Sequence, residues 1–454
     1  MDPSEFLRRR KLLRYWEPPF LVSAIFVTFV VARYMQWGAR RDILATIRFE
    51  LLLGVALIAS CAYLLQVTPI PLHRLPGAKR LVTGISLLFA AMIVQLPFAV
   101  DQAMATTVFW DRVVKFAMLT FFIAVLVRSP KTLRWFLFAF LFACFYVTLE
   151  SARGAITGGL VWENQGIMRL HGAVPIYAHP NSLSGVAMGV IPFVVFLFPV
   201  LRSWKYKLAI LMPLVTAITC ILYSGSRTGY VAFFVFLFFW WTQSRRKFRW
   251  IGIAVGLSLA VYPVIPQQYV QRFKSIGGQE AEGHSKETRI VILDDAVKIF
   301  ASNPFGVGVA SFPAARRARF GRSQDTHNLY LEVATNLGIQ GFVVFMFLIA
   351  WMLSSLRRVT NLVEREQRQL AAYIKSQMDN VKERRYLRKR ILDLRLIHGA
   401  AQATAGFVWV RLALGMFGMD LYEVYWWFAA GLAISLELIT DQIRRSHRRF
   451  FVTG

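Results

Sequence analysis

The chain is poor in the side chains that most enzymes use as fixed chemistry. Its 454 residues hold three cysteines, seven histidines and 25 carboxylates against 53 Lys and Arg. Cys61, Cys144 and Cys220 show neither metal-ligand nor disulfide spacing and read as packing residues. There is no Walker A loop, no HExxH, no GxSxG and no DxD suited to a metal-bound nucleotide sugar; Asp294-Asp295 is adjacent rather than alternating. These absences argue against P-loop, zincin and serine-hydrolase chemistry and give no reason to expect a metal or a cofactor.

What the chain has in abundance is apolar residues, 56% of the total, with a mean hydropathy of +0.47. They come as runs of about 16–25 residues, long enough to cross a hydrocarbon slab of roughly 30 Å as helices. The runs fall near 19–36, 47–66, 81–98, 113–127, 134–150, 182–201, 207–223, 228–243, 250–266, 329–356, 400–418 and 421–440. The expected fold is an all-α polytopic membrane domain of about twelve spans over residues 1–454. Arg8-Arg9-Arg10-Lys11 precedes a first run that is too long for a cleavable signal and lacks a small-residue cleavage site.

The net charge of +28 follows the topology more than it suggests nucleic acid. With the N-terminus inside, most Lys and Arg fall in inner segments such as Arg74/Lys79/Arg80, Arg202/Lys205/Lys207 and Arg444/Arg445/Arg448/Arg449, as the positive-inside bias requires. Both termini are then cytoplasmic, and nucleic acid is not an expected partner. The exception is the first outer loop, which carries Arg40 and Arg41.

Two long segments interrupt the hairpins. Residues 357–399 are expected as a cytoplasmic helical pair lying along the membrane, with Glu364/Arg368 at i,i+4 spacing and anionic lipid as a sufficient partner. Residues 267–328 form an outer loop with nine Lys or Arg against six carboxylates. It reads either as a merely soluble loop or as a cationic surface for an anionic ligand. Within it, Ile290, Leu293, Ala296, Val297 and Phe300 fall at helical spacing and are expected to lie on the membrane domain. Asn303-Pro304 ends that helix, and Gly306 and Gly308 tighten the turn after it.

The candidate chemistry lies on the outer face. Asp325-Thr326-His327-Asn328 opens the span at 329, and ionisable groups at such a place usually mark a working site. In Ser224-Gly225-Ser226-Arg227-Thr228-Gly229 the glycines allow a tight reversal at the junction of two spans, leaving Arg227 either to snorkel to lipid phosphate or to grip a phosphate ligand with its fork of donors. Arg289 begins the amphipathic helix. His179-Pro180-Asn181 begins another span, with Asn181 expected as its cap. Arg411, the deepest arginine, is expected to pair with Glu423. Two fixed cations with an imidazole suit a reaction whose leaving group is a phosphate.

Taken in order, Ser-Gly-Ser-Arg227-Thr-Gly, Thr288-Arg289, Asn303-Pro304-Phe305-Gly306-Val307-Gly308 and His327-Asn328-Leu329-Tyr330-Leu331 through Gly338 and Gly341 resemble the bacterial O-antigen ligase/polymerase superfamily. The similarity in motif covers about residues 179–345. The resemblance implies a C-type, metal-independent, inverting glycosyltransferase of the inner membrane with a large helical periplasmic loop. Its donor would be a glycan on undecaprenyl diphosphate, and its acceptor a saccharide on lipid A-core or on a second lipid-linked glycan. Carried over, Arg227 and Arg289 would bind the diphosphate and His327 would be the base. His179 and Asn181 match a weaker motif that often reads Asn-Pro-Asn in relatives, and Arg322, Asp325 and Tyr330 would support the site. Segment 357–399 exceeds what the resemblance leads one to expect. Ligase and polymerase require the same residues; the region around His327 leans towards the ligase branch. The rival of another class is a lipid-linked glycan flippase, for which internal repeats, broken helices and midplane charge would be expected.

Overall fold

A backbone in lipid has no water to bond with, so the apolar runs fold as helices. The computed structural model describes residues 15–164, 166–244, 247–248, 252, 266–274, 285–376 and 381–452. The run expected at 250–266 lies, apart from 252 and 266, outside the described residues. In chain order the longer elements are α1 (Phe20–Met35), α2 (Phe49–Val67), α3 (Pro76–Gln95), α4 (Gln102–Val108), α5 (Lys115–Leu126) and α6 (Pro130–Thr157). A hairpin, β1 (Val161–Asn164) and β2 (Ile167–Leu170), precedes α7 (Pro180–Leu197), α8 (Trp204–Tyr223) and α9 (Arg227–Gln243). Then come α10 (Gln267–Lys274), α11 (Ser285–Ser302), α12 (Phe312–Phe320), α13 (Leu329–Ser376), α14 (Val381–Gly415) and α15 (Val424–Val452).

Among the described residues, six helices are long and apolar enough to cross a membrane: α2, α3, α6, α8, residues Pro180–Val200 and residues Leu329–Lys375. Local chemistry starts them where the sequence suggests. Ser129 caps α6 in a reciprocal box with Thr132, and Pro130 takes the first position, where no amide is needed. In the interior α14 lies against α7, α9 and α13, while α13 also meets α3 and α15 meets α5. Phe140, Phe193, Phe407 and Phe428 form an aromatic centre, with Phe140 and Phe428 centroids 4.7 Å apart. Cys61, Cys144 and Cys220 are buried and free, as packing residues are.

The fold is helical apart from one short antiparallel hairpin, β1–β2, which sets Trp162 opposite Arg169. Two expectations need correction. The loop helix α11 buries a different stripe from the one expected. Ile290 and Val297 are 57% and 54% exposed, whereas Ile292, Asp295, Ala296 and Ile299 are buried and join Val307 and Phe312 in a small separate core. The true stripe contains a carboxylate, Asp295, which an apolar periodicity cannot register.

Segment 357–399 is a helical pair with the expected Glu364–Arg368 contact at 2.7 Å, but it does not form separate helices laid along a membrane. Its strands of helix are continuous with α13 and α14. Beyond Gly338, residues 339–376 are unbroken helix, about 57 Å at 1.5 Å per residue. That is longer than the roughly 30 Å of a hydrocarbon core; we call the far end the stalk. α15 accompanies it: Arg358 meets Glu437 at 2.6 Å and His447 meets Glu366 at 2.7 Å.

α13 is broken once, at Gly338 (φ 70°, ψ −173°). The break is filled by the Asn303–Gly308 turn, backbone against backbone. Val307 N donates to Thr335 O (2.9 Å), Gly308 N to Asn336 O (3.0 Å), and Ile339 N to Pro304 O (2.9 Å). A Cβ at Gly306 would stand 2.7 Å from the Asn336 carbonyl oxygen, and one at Gly338 would run into the Phe305 backbone. Only glycine permits this approach. The outer segment is thereby keyed into the start of α13, where His327 stands.

Candidate active site

The outer segment and the helix ends enclose a cavity of about 1090 Å³. Of the residues singled out from sequence, His179, Asn181, Arg289, Asp325 and His327 line it. Arg227, Arg322 and Tyr330 do not: Thr228 reaches the lining beside Arg227, Arg322 turns to Asp295, and the Tyr330 hydroxyl donates to Leu412 O at 3.0 Å.

His327 ends the loop in a left-handed conformation, φ 48°, unusual for a residue with a Cβ. The turn is fixed on both sides. Thr326 N donates to Asp325 Oδ1 (2.8 Å), and Asn328 Oδ1 accepts from Leu331 N (3.1 Å), capping α13. Thr326 Oγ1 accepts from Asn328 N and the Asn328 amide reaches Met416 O. The His327 ring is left open to the cavity. Desolvation first, and then the Arg289 and Arg316 guanidiniums, hold its pKa below the ordinary 6.5, against the opposing pull of Asp325. At neutral pH this imidazole is uncharged and can accept a proton.

Asp325 and Glu332 each accept from a backbone amide near the start of α13 or the turn packed on it. Asp325 is engaged with its own turn, although its charge acts on His327. Glu332 is buried and accepts from Leu421 N (3.1 Å), tying α13 to the turn before α15. Beneath the loop, buried Asp295 holds two arginines: Arg316 Nε at 2.9 Å and Arg322 Nη2 at 3.1 Å. Arg316 Nη1 also donates to Gln324 O (3.4 Å), joining α11, α12 and the approach to His327.

On the other wall the hairpin supplies Arg169, a residue that sequence reading passed over. It is buried, and its fork donates to Ser224 O (2.7 Å), Asn164 Oδ1 (3.0 Å) and Asn181 Oδ1 (3.1 Å). Ser226 Oγ donates to the same Asn181 oxygen (2.9 Å) and caps α9 by accepting from Gly229 N. Asn181 therefore does not cap α7; His179 does, its Nδ1 accepting from Asn181 N at 3.2 Å. The Ser224–Arg227 turn, the hairpin and the start of α7 are one hydrogen-bonded unit. Burial, and then Arg169, His171 and His327, keep His179 below its ordinary pKa, which places the two cavity histidines in electrostatic reach of each other.

Arg411 lines the deep end but not with the expected partner. Its Nη1 lies 3.4 Å from Asp420, its Nη2 donates to Gly185 O (2.7 Å), and its guanidinium covers the Tyr425 ring. Glu423 instead meets Arg112 at 2.8 Å, on the π-helical turn after α4. Among the described residues no group of three or more His, Cys, Asp or Glu could hold a metal ion. Chemically, the cavity offers a neutral imidazole beside a guanidinium, ringed by groups already committed to one another.

No curated protein matches the chain. Residues 212–346 match the family model described as O-antigen ligase. That stretch holds the Ser224–Arg227 turn, Arg289, the Asn303–Gly308 turn and His327, and it bears out the resemblance of this chain to the O-antigen ligase/polymerase superfamily.

Proposed function

We propose that the protein is a membrane glycosyltransferase of the inner membrane, acting as an O-antigen ligase. It would move a glycan from undecaprenyl diphosphate to a lipid A-core saccharide at the periplasmic face, without a metal. One observation carries this reading: Arg289 and His327, distant in sequence, line one cavity with His179, in a chain whose motif order matches the superfamily. In this reading twelve spans place both termini in the cytoplasm, and 267–328 is the periplasmic loop.

The reaction is a single displacement. His327 takes the proton of an acceptor hydroxyl as its oxygen bonds to the anomeric carbon. The bond from that carbon to the diphosphate breaks, its electron pair leaves with the phosphate oxygen, and the configuration inverts. Arg289 in the lining, and Arg227 on the adjacent turn, neutralise the charge that develops on the diphosphate. The undecaprenyl tail stays among the spans, while the sugar occupies the wet cavity.

A deletion strain tests the acceptor. Bare core with accumulating lipid-linked polymer is the expected phenotype. Core carrying a single repeat would assign the chain as a polymerase. The break at Gly338 is a feature that a flippase reading also expects, but its freed carbonyls are taken by loop amides rather than turned to a pathway. Glycan transfer by purified protein in detergent, where nothing can be flipped, separates the two.

A further inference from the structure

The stalk formed by the ends of α13 and α14 is on the side of the molecule opposite the cavity, because Glu332 at the start of α13 and Glu423 just before α15 line the cavity, while Glu366 and His447 meet far along α13 and α15. Its described carboxylates are all engaged: Glu364 with Arg368 (2.7 Å), Glu366 with His447 (2.7 Å) and Asp393 with Arg134 (3.3 Å). Its tip is the reverse. Lys375, Arg384, Arg385, Arg388 and Lys389 are exposed, with no acidic partner among the described residues. Arg384/Arg388 and Arg385/Lys389 are like-charge pairs at i,i+4, an arrangement that costs a helix about 0.2–0.5 kcal/mol per pair. Local helix stability does not explain why they are there.

Anionic lipid accounts for basic residues next to a membrane, but not for these. A slab of roughly 30 Å uses about twenty residues of α13 after Gly338. Lys375 then stands on the order of 25 Å beyond the slab, and the facing turn of α14 with it. The attraction of a lipid surface decays over about 8 Å at physiological salt. Nucleic acid is disfavoured for another reason: no large hydrophobic or aromatic side chain of the described stalk is among the exposed ones, so there is no platform for base stacking. What remains is a helical surface whose exposed, described charges are all cationic.

We propose that the stalk tip around Lys375 and Arg384–Lys389 is a docking surface for an acidic segment of a partner protein on the side opposite the cavity. The attraction is charge complementarity without an apolar anchor, so binding is fast and salt-sensitive. This inference is independent of the transfer chemistry and stands if the acceptor assignment fails.

The test uses the full chain in nanodiscs of phosphatidylcholine alone, with a labelled glutamate-rich peptide as probe. Replacing the cluster (Arg384→Gln, Arg385→Gln, Arg388→Gln and Lys389→Gln together) is expected to weaken peptide binding at least about tenfold. Glutamine keeps helix propensity, and far-UV circular dichroism and thermal unfolding verify that the variant folds. A control with Arg202→Gln, Lys205→Gln and Lys207→Gln should bind like the parent. Adding phosphatidylglycerol to the nanodiscs should leave binding unchanged. Equal binding by the cluster variant and the parent would overturn the proposal. So would loss of peptide binding in anionic nanodiscs, which would lay the tip on lipid. Tighter, cluster-dependent binding of a single-stranded RNA would transfer the surface to nucleic acid.

Discussion

The wall of the cavity and its lumen use the same side chain in opposite ways. In the wall, behind the lining, Arg169 and Arg316 are buried and directed at protein acceptors: a turn carbonyl and two amide oxygens for the first, Asp295 for the second. In the lumen, Arg289 and Arg317 line open volume beside two histidines whose protonated forms are disfavoured. Guanidiniums sealed in protein specify where elements meet; one that lines a cavity can also meet what enters it. The difference assigns roles to residues of one type, and it can be broken from either side.

The largest effect is expected in the wall. Asp295→Ala leaves buried Arg316 without its carboxylate, which should cost about 3–5 kcal/mol and appear as a large fall in the thermal unfolding midpoint. Arg322→Ala, at the half-exposed end of the same cluster, should cost under about 1 kcal/mol. If the two fall equally, Asp295 is not the keystone of the loop.

Next is Arg169→Lys, which keeps the charge but cannot reproduce a fork donating to three acceptors. Transfer should fall by about tenfold or more as the Ser224–Arg227 turn loosens. Retained activity would show that the turn is held by other contacts.

In the lumen, Arg289→Gln should lower kcat/KM for transfer by about 10²-fold. An unchanged kcat/KM would remove Arg289 from the donor site.

The smallest effects are in pH dependence. The imidazole must be neutral to act as base, so activity should rise with pH through a His327 pKa below 6.5 and be level at neutral pH. Arg289 lowers that pKa and Asp325 raises it. The acid limb should therefore move to higher pH in Arg289→Gln and to lower pH in Asp325→Asn. Shifts in the same direction would remove His327 from the titration.

The helices were legible in the sequence because hydrophobic length is a local signal; that Arg289 and His327 belong to one site came from the resemblance, and the two line one cavity. The misreadings have one cause in common: each depended on a long-range polar partner. Asp295 is paired with Arg316, 21 residues away, so the buried face of α11 contains a charge beside Ile292, Ala296 and Ile299, while Ile290 and Val297 stay outside. Asn181 looks like a cap, but Arg169 and Ser226 take its oxygen and leave capping to His179. Glu423 is near Arg411 in sequence, yet Arg112 from 311 residues away claims it. Arg169 itself carries no motif.

The most direct test of the central claim separates binding from chemistry at His327. Purified His327→Ala protein should bind the undecaprenyl-diphosphate-linked donor with the parent's affinity. It should transfer glycan to the acceptor about 10²–10⁴-fold more slowly. Transfer at the parent rate would contradict the account, and so would loss of donor binding in a variant that remains folded.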